Sequence, residues 1–229
     1  DPEDMVSIRL WIEKGRVISL RHRRVIAIQE LREAAERGEG PRDAGEFLVR
    51  LCGAMLEKMA PVMADLDDAV DELEDEVLAA ESYELRSKIG GLRRQTIRMR
   101  RYLAPQRDVI ARLQGERAGW LNDLHRVHLR ELADRTTRYV EDLDSIRDRA
   151  AVSQDELNSK LSEQMNKTMY VLSIIAAIFL PLGLFTGLLG INVGGIPGTE
   201  NPLAFTLVCV LLLVVAALQA WLFRRMRWI

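Results

Sequence analysis

Apolar and polar residues alternate near the start of the chain, where Val6, Ile8, Leu10 and Ile12 are interleaved with Ser7, Arg9, Trp11 and Glu13. A period of two predicts a half-buried strand, Lys14-Gly15 a turn, and Arg16–Arg21 a returning strand. Two strands do not stand alone in water, so the rest of their sheet is expected to come from an N-terminal part missing from this sequence. Apolar spacings of three and four follow at about 24–37 and 43–59, separated by the breaker Gly38-Glu39-Gly40-Pro41. From Pro61 the pattern is helical almost throughout, with Gly90-Gly91 as a candidate kink and a break at Gln114-Gly115 and Gly119-Trp120. The last long pattern runs from Asn122, a candidate N-cap, to Gly190, with Pro181 its only proline. At 1.5 Å per residue this helix would span about 105 Å.

Residues 169–191 contain no Asp, Glu, Lys or Arg, and residues 203–223 form a second uncharged run whose most polar member is Gln219. Either suffices to cross a bilayer, which takes about 20 apolar residues. Two such runs, joined by a short loop, predict a transmembrane hairpin rather than two buried helices of a soluble core. The loop 192–202 holds a single charge, Glu200, whereas Arg224, Arg225 and Arg227 follow the second run and Lys160 and Lys167 precede the first. The positive-inside rule places both termini in the cytoplasm of a bacterial-type inner membrane, with the loop outside. No signal peptide is visible.

The pattern therefore predicts an α-helical membrane protein with a partial cytoplasmic α/β domain and a very long stalk helix that continues into the first of two C-terminal transmembrane helices. Its parts are 1–60, the C-terminal part of the α/β domain; 61–121, a helical arm; and 122–167, the stalk. They continue with 168–191, the first span; 192–202, the external loop; 203–223, the second span; and 224–229, a basic tail. A polar stalk of this length is stable only when bundled, so self-association is expected.

Composition changes this picture little, because the 32 basic and 34 acidic residues nearly cancel over the 229-residue chain. That balance excludes a polybasic nucleic-acid binder, and two cysteines exclude a disulfide-dense scaffold. The excess of acid lies in residues 1–167, with 29 basic and 33 acidic side chains, and mildly favours cations as partners. Eight acids crowd 65–76, and a basic stretch from Arg86 to Arg101 follows. Complementary faces of antiparallel helices account for this pattern, and a loose divalent-cation sensor is the sharper alternative. His125 and His128 are a weak metal-ligand pair, read as a surface pair lacking a third ligand. Cys52 fits helix packing, and Cys209 a lipid- or helix-facing site. Nothing resembles a nucleophile triad, phosphate loop or haem motif, so neither an enzyme nor a bound cofactor is expected.

One stripe of the long helix carries more information. Steps of seven give Asp148, Asp155, Ser162, Met169, Ala176, Gly183 and Gly190, and the stripe offset by four gives Val152, Ser159, Asn166, Ser173, Leu180 and Gly187. A coiled-coil seam wants large apolar residues here, but this one runs from acidic through small and polar to small and apolar. Such a face suits several copies of the helix around a narrow water-filled path. Gly183-xxx-Gly187 also fits the close packing of two transmembrane helices.

At the end of the first span stands Gly190-Ile191-Asn192, followed by Val193-Gly194-Gly195-Ile196-Pro197-Gly198. This resembles the CorA superfamily of divalent-cation transporters, with its Gly-Met-Asn signature at the outer end of the first of two C-terminal spans. The Gly-Ile-Asn form and the residues after it resemble the ZntB-type zinc transporters within that superfamily. Ile178-Phe179-Leu180-Pro181 and the segment from Arg100 to Asp108 are also similar.

The resemblance implies a homopentameric funnel in the membrane, with five copies of the first span lining the pore and the second spans facing lipid. It places Gly190 and Asn192 at the external entrance, with Ile191 between them; Glu200 concentrates cations if it lies near the mouth and is otherwise a solvated loop charge. Asn166, Met169, Leu172, Leu180 and Gly183 match the family's pore-facing positions, and the two stripes add Ser173, Ala176 and Gly187 to the pore and Asp148, Asp155, Ser159 and Ser162 to the cytoplasmic funnel. A ring of Asn192 amides can accept hydrogen bonds from a cation's water shell, and Met169 and Leu180 can close apolar constrictions by dewetting. Ile191 stands in place of the Met of the magnesium branch, and the loop lacks that branch's Met-Pro-Glu-Leu sequence, which argues against assuming Mg2+ transport; the resemblance to the zinc branch implies Zn2+ as the cargo. The resemblance to this branch implies proton-coupled movement, yet the first span offers no titratable group, which leaves Glu200, Asp155 or water as candidates to carry the proton. A Mg2+/Co2+ channel is the alternative within the superfamily, and a membrane-anchored oligomeric scaffold or metal sensor the alternative outside it.

Overall fold

The computed structural model describes residues 7–79, 83–116, 118–190 and 202–225. They fall into two compact units, Asp1–Ser159 and Lys160–Ile229.

In the first unit the alternating pattern becomes a hairpin. Strands β1 (Ile8–Glu13) and β2 (Arg16–Arg21) pair antiparallel, with Ile8 opposite Arg21 and Glu13 opposite Arg16. The two-residue turn needs a left-handed position, which Gly15 supplies at φ +88°. Ile8 and Leu10 pack on Ala27 and Leu31 of α1 (Ile26–Glu36) and on Leu51 of α2 (Ala44–Ala79). Helix α1 stops where Gly38 turns left-handed at φ +82°, its N–H returning to Ala35 O at 3.0 Å.

Asp43 caps α2. Its Oδ1 accepts the Glu46 N–H at 2.8 Å, and the Glu46 carboxylate accepts the Arg42 N–H at 2.8 Å. That backbone donor, reinforced by Arg50, holds the Glu46 carboxyl below its ordinary range.

Helices α2, α3 (Tyr83–Gly115) and α4 (Asp123–Gly190) bury residues at alternating spacings of three and four. Leu66, Val70, Leu73 and Val77 of α2 share this burial with Leu85, Ile89, Leu92, Thr96, Met99 and Leu103 of α3, and with Val140, Leu143, Ala150, Ser153 and Leu157 of α4. This is coiled-coil spacing, and each large apolar side chain so buried contributes about 1.5–3 kcal/mol. Three buried hydroxyls interrupt the apolar set, and each is satisfied within its own helix. Thr96 donates to Leu92 O at 2.8 Å, Thr136 to Leu132 O at 2.7 Å and Ser153 to Arg149 O at 3.0 Å.

Several elements outrun their sequence signals. The helix expected over 43–59 continues to Ala79, passing through the exposed Pro61. Gly90-Gly91 lies within α3 without ending it, as does Pro105. In each case the buried three–four stripe outweighs a local propensity cost of roughly 1–3 kcal/mol. The predicted break holds at Gly115, where α3 ends.

The second unit contains the apolar part of α4 and α5 (Ala204–Arg225). Among the described residues one helix, α4, is long and apolar enough to cross a membrane. Helix α5 has 22 residues, a described apolar run of Phe205–Gln219, and Arg224 and Arg225 in its last turn. Half-buried positions fall on one face of each helix: Ile174, Ala177, Ile178, Pro181 and Leu182 on α4, and Val208, Cys209, Leu212, Val215, Ala216 and Gln219 on α5.

Candidate functional site

Helix α4 carries nearly every predicted site residue, so what starts it and what sets its rotation decide where those residues face. It starts at the expected cap. Asn122 Oδ1 accepts the His125 N–H at 2.8 Å, and the Asn122 N–H points back to His125 Nδ1 at 3.4 Å. This is a capping box in which an imidazole takes the place usual for Glu or Gln.

His125 is therefore buried, 6% exposed, and does not form the surface pair expected from sequence. Its Nε2 faces Asp43 Oδ1 at 3.5 Å, and a Cβ added at Gly45 would overlap its ring. His128 is half-buried one turn on. Among the described residues no three His, Cys, Asp or Glu side chains converge as a metal site.

Rotation of α4 is fixed by ions. The Arg149 guanidinium spans three acids of α2: Glu74 at 2.9 Å from Nε and 2.6 Å from Nη2, Asp67 at 3.3 Å, and Asp71. These bonds hold the guanidinium firmly protonated, its pKa pushed further up chiefly by Glu74 and then Asp71. From α3, Arg86 donates to Asn158 at 2.8 Å and Arg93 to Gln154 at 2.6 Å, and Arg100 pairs with Asp144 at 2.6 Å.

The charge complementarity expected directly between α2 and α3 is seen at Lys88–Glu76, 2.7 Å, which draws the lysine pKa up. Three of the eight acids turn instead to Arg149, and several arginines of α3 turn to α4. Four of the crowded acids, Asp67, Asp71, Glu74 and Glu76, are thus structural partners of cations within the chain. Asp142, beside them, titrates above its usual range, chiefly through desolvation and then through repulsion by Asp67 and Glu141.

With α4 keyed in this way, Asp148, Val152, Asp155 and Ser159 lie exposed in the first unit. Asp148 pairs only with its neighbour Arg147, at 2.8 Å, among the described contacts.

In the second unit Ser162, Asn166, Met169, Leu172, Ser173, Ala176, Leu180, Gly183 and Gly187 are all exposed. Met169, Leu172 and Leu180 are 63%, 65% and 72% exposed, high values for large apolar side chains. At 3.6 residues per turn, Met169, Leu172, Ala176, Leu180, Gly183 and Gly187 lie within about 50° of the line opposite the half-buried face, with Ser173 and Asn166 on its flank. The predicted stripe is therefore the bare side of α4. Ser173 donates its hydroxyl to Met169 O at 2.8 Å, and Thr186 to Leu182 O at 2.9 Å.

Gly190 ends α4. Ile191, Asn192 and Glu200, expected at the entrance, lie outside the described residues. Cys52 is buried as expected, and burial pushes its thiol up to about 11, too high for reactivity.

A small N-terminal sheet and three long helices at coiled-coil spacing, the last of which runs on into an apolar stretch, make up the described architecture together with the apolar helix α5, and comparisons with known proteins identify it as that of a membrane transporter, not an enzyme. The model of the CorA-like Mg2+ transporter protein family matches residues 1–225, and this chain belongs to that family.

Similar proteins include the divalent cation transporter CmaX of Pseudomonas aeruginosa, 41% identical over 234 residues that cover the whole of this chain and 69% of that protein. The zinc transport protein ZntB of Pectobacterium atrosepticum is 36% identical over 228 residues, again covering the whole chain and 69% of its own length. The solved structure of full-length CmaX superposes with a TM-score of 0.82 at 41% identity, over 100% of this chain and 70% of that one. The CorA magnesium transporter of Methanocaldococcus jannaschii shares the fold, with a TM-score of 0.79 at 23% identity over 99% of this chain and 81% of that one.

Sequence reasoning missed two things: the burial of His125 and the partner of Gln219. The spacing Asn122-x-x-His125 was a signal for the first, because it has the form of a capping box.

Proposed function

We propose that this chain moves divalent metal cations, Zn2+ foremost, across an inner membrane through a homopentameric path lined by the bare stripe of α4, with both termini cytoplasmic. The observation that carries this reading is the stripe itself. Large apolar, small and polar residues from Asn166 to Gly187 stay exposed, while α5 sits toward the other face. A lone helix leaving Met169, Leu172 and Leu180 uncovered is incomplete, and further copies of α4 complete it.

The described seam of the span holds no carboxylate, imidazole or thiol. Cargo therefore passes with its water shell, steered by amide and hydroxyl oxygens, and Leu180 and Met169 close the path by dewetting. Asn192 receives the hydrated ion at the entrance, while Asp148 and Asp155 raise the local cation concentration at the cytoplasmic end. The Gly-Ile-Asn form and the zinc transport relatives support Zn2+. Mg2+ is the second reading, favoured by a path without soft ligands, which suits a hard hydrated ion equally well.

Flux of ⁶⁵Zn2+ and of Mg2+ into liposomes containing the purified protein tests both readings. Uptake of Zn2+ over Mg2+ is expected, with Asn192→Ala altering rate or selectivity. No divalent flux from correctly assembled protein overturns the transport reading. Repeating the assay with a pH gradient tests proton coupling.

A further inference from the structure

Pro181 sits within the apolar part of α4. A proline has no N–H, so the carbonyl four residues earlier, Ala177 O, loses its helical donor, and the ring pushes against that same carbonyl. In a lipid surrounding, an unpaired backbone carbonyl is costly, and neighbouring helices commonly supply the missing donor. Here one does. Gln219, the most polar residue of the apolar run Phe205–Gln219 of α5, donates its Nε2 to Ala177 O at 3.4 Å, from 42 positions away in the chain. The partner is the one carbonyl that Pro181 orphans. Leu180, the adjacent residue, faces the bare stripe at 72% exposure.

We propose that Gln219 is a positioning residue that replaces the hydrogen bond Pro181 removes, so that α5 sets the pose of the α4 segment carrying Leu180. This deepens the transport reading and rests on it for its functional consequence, although the contact itself does not. Without Gln219, Ala177 O is bare and the segment around Pro181 is free to bend. With an alanine at 181 the helix regains its own N–H donor, and Gln219 becomes dispensable. No other polar side chain of α5 between Phe205 and Gln219 except Thr206 and Cys209 is available for this task, and both lie more than two turns away.

The test is a cycle of Gln219→Leu, Pro181→Ala and the double variant in the full chain. Each is measured in two ways: stability of the detergent-solubilised protein, and divalent-cation flux in liposomes. In the native background Gln219→Leu should shift the unfolding equilibrium by about 3- to 10-fold, the range of interhelical hydrogen bonds in membranes, and change flux. In the Pro181→Ala background the same substitution should change either quantity less than 2-fold. Equal effects in both backgrounds overturn the proposal, because Gln219 would then act by some route other than the orphaned carbonyl. If Gln219→Leu fails to fold, Gln219→Met is compared in the same two backgrounds under the same criterion. Absence of flux from the native protein sinks the transport reading alone, since the stability cycle still decides the contact.

Discussion

Replacing Arg149 by Met keeps most of the aliphatic stem of that side chain and deletes the cation that three acids of α2 share. The loss can be worked from the geometry. Glu74 is held at both oxygens, 2.9 and 2.6 Å away, and is 38% exposed, so its pair is worth about 1.5 kcal/mol after allowing for solvent. Asp67 and Asp71 are 64% and 62% exposed, which limits each to about 0.5 kcal/mol. Their sum, about 2.5 kcal/mol, corresponds to a fall of about 5–10 °C in the midpoint of a domain of this size.

Urea denaturation followed by far-ultraviolet circular dichroism measures the loss directly. The gap between native and variant should narrow in 1 M salt, where the screening length falls to about 3 Å. A loss below about 0.5 kcal/mol would show that the Arg149 cluster does not hold α4 to α2. A gap unaffected by salt would show that stem packing, not charge, carries the effect.

Gly45→Ala should destabilise by about 1–3 kcal/mol, because the new Cβ overlaps the His125 ring. Thermal midpoints in a His125→Ala background should show that penalty removed, and a penalty of the same size there would sink the steric account. Glu46 contributes stability that is present above its ordinary pKa of 4.5 and is lost as the pH falls through its lowered folded value. Glu46→Gln should therefore weaken the protein at neutral pH and flatten that part of the acid limb. Parallel acid limbs for the two proteins in a pH-resolved denaturation series would contradict the assignment.

The period-two run at Ile8–Glu13, the turn at Lys14-Gly15 and the cap at Asn122 could all be read from sequence, because each is a local signal. The stripe from Asn166 to Gly187 was legible for the same reason, since helical spacing alone decides which residues share a face. Partnerships were not legible. Arg149 lies 75 residues from Glu74 and Gln219 lies 42 from Ala177, and no spacing rule connects such distant positions. Pro61 read as a boundary and Gly90-Gly91 as a candidate kink because a local breaker carries no record of the packing that overrides it. His125 read as a surface residue because nothing nearby announces that Gly45 leaves room for its ring.

The sealed position of that histidine has a consequence for a protein whose business is metal traffic. An imidazole with an open lone pair is an avid chelator of late first-row cations. Here Nδ1 is engaged by the Asn122 N–H, Nε2 faces Asp43, and the ring lies buried against Gly45. The start of α4 thus gains the shape-filling and capping virtues of histidine without offering passing ions a place to lodge, and fluctuations in metal concentration leave the joint between α2 and α4 unpoisoned.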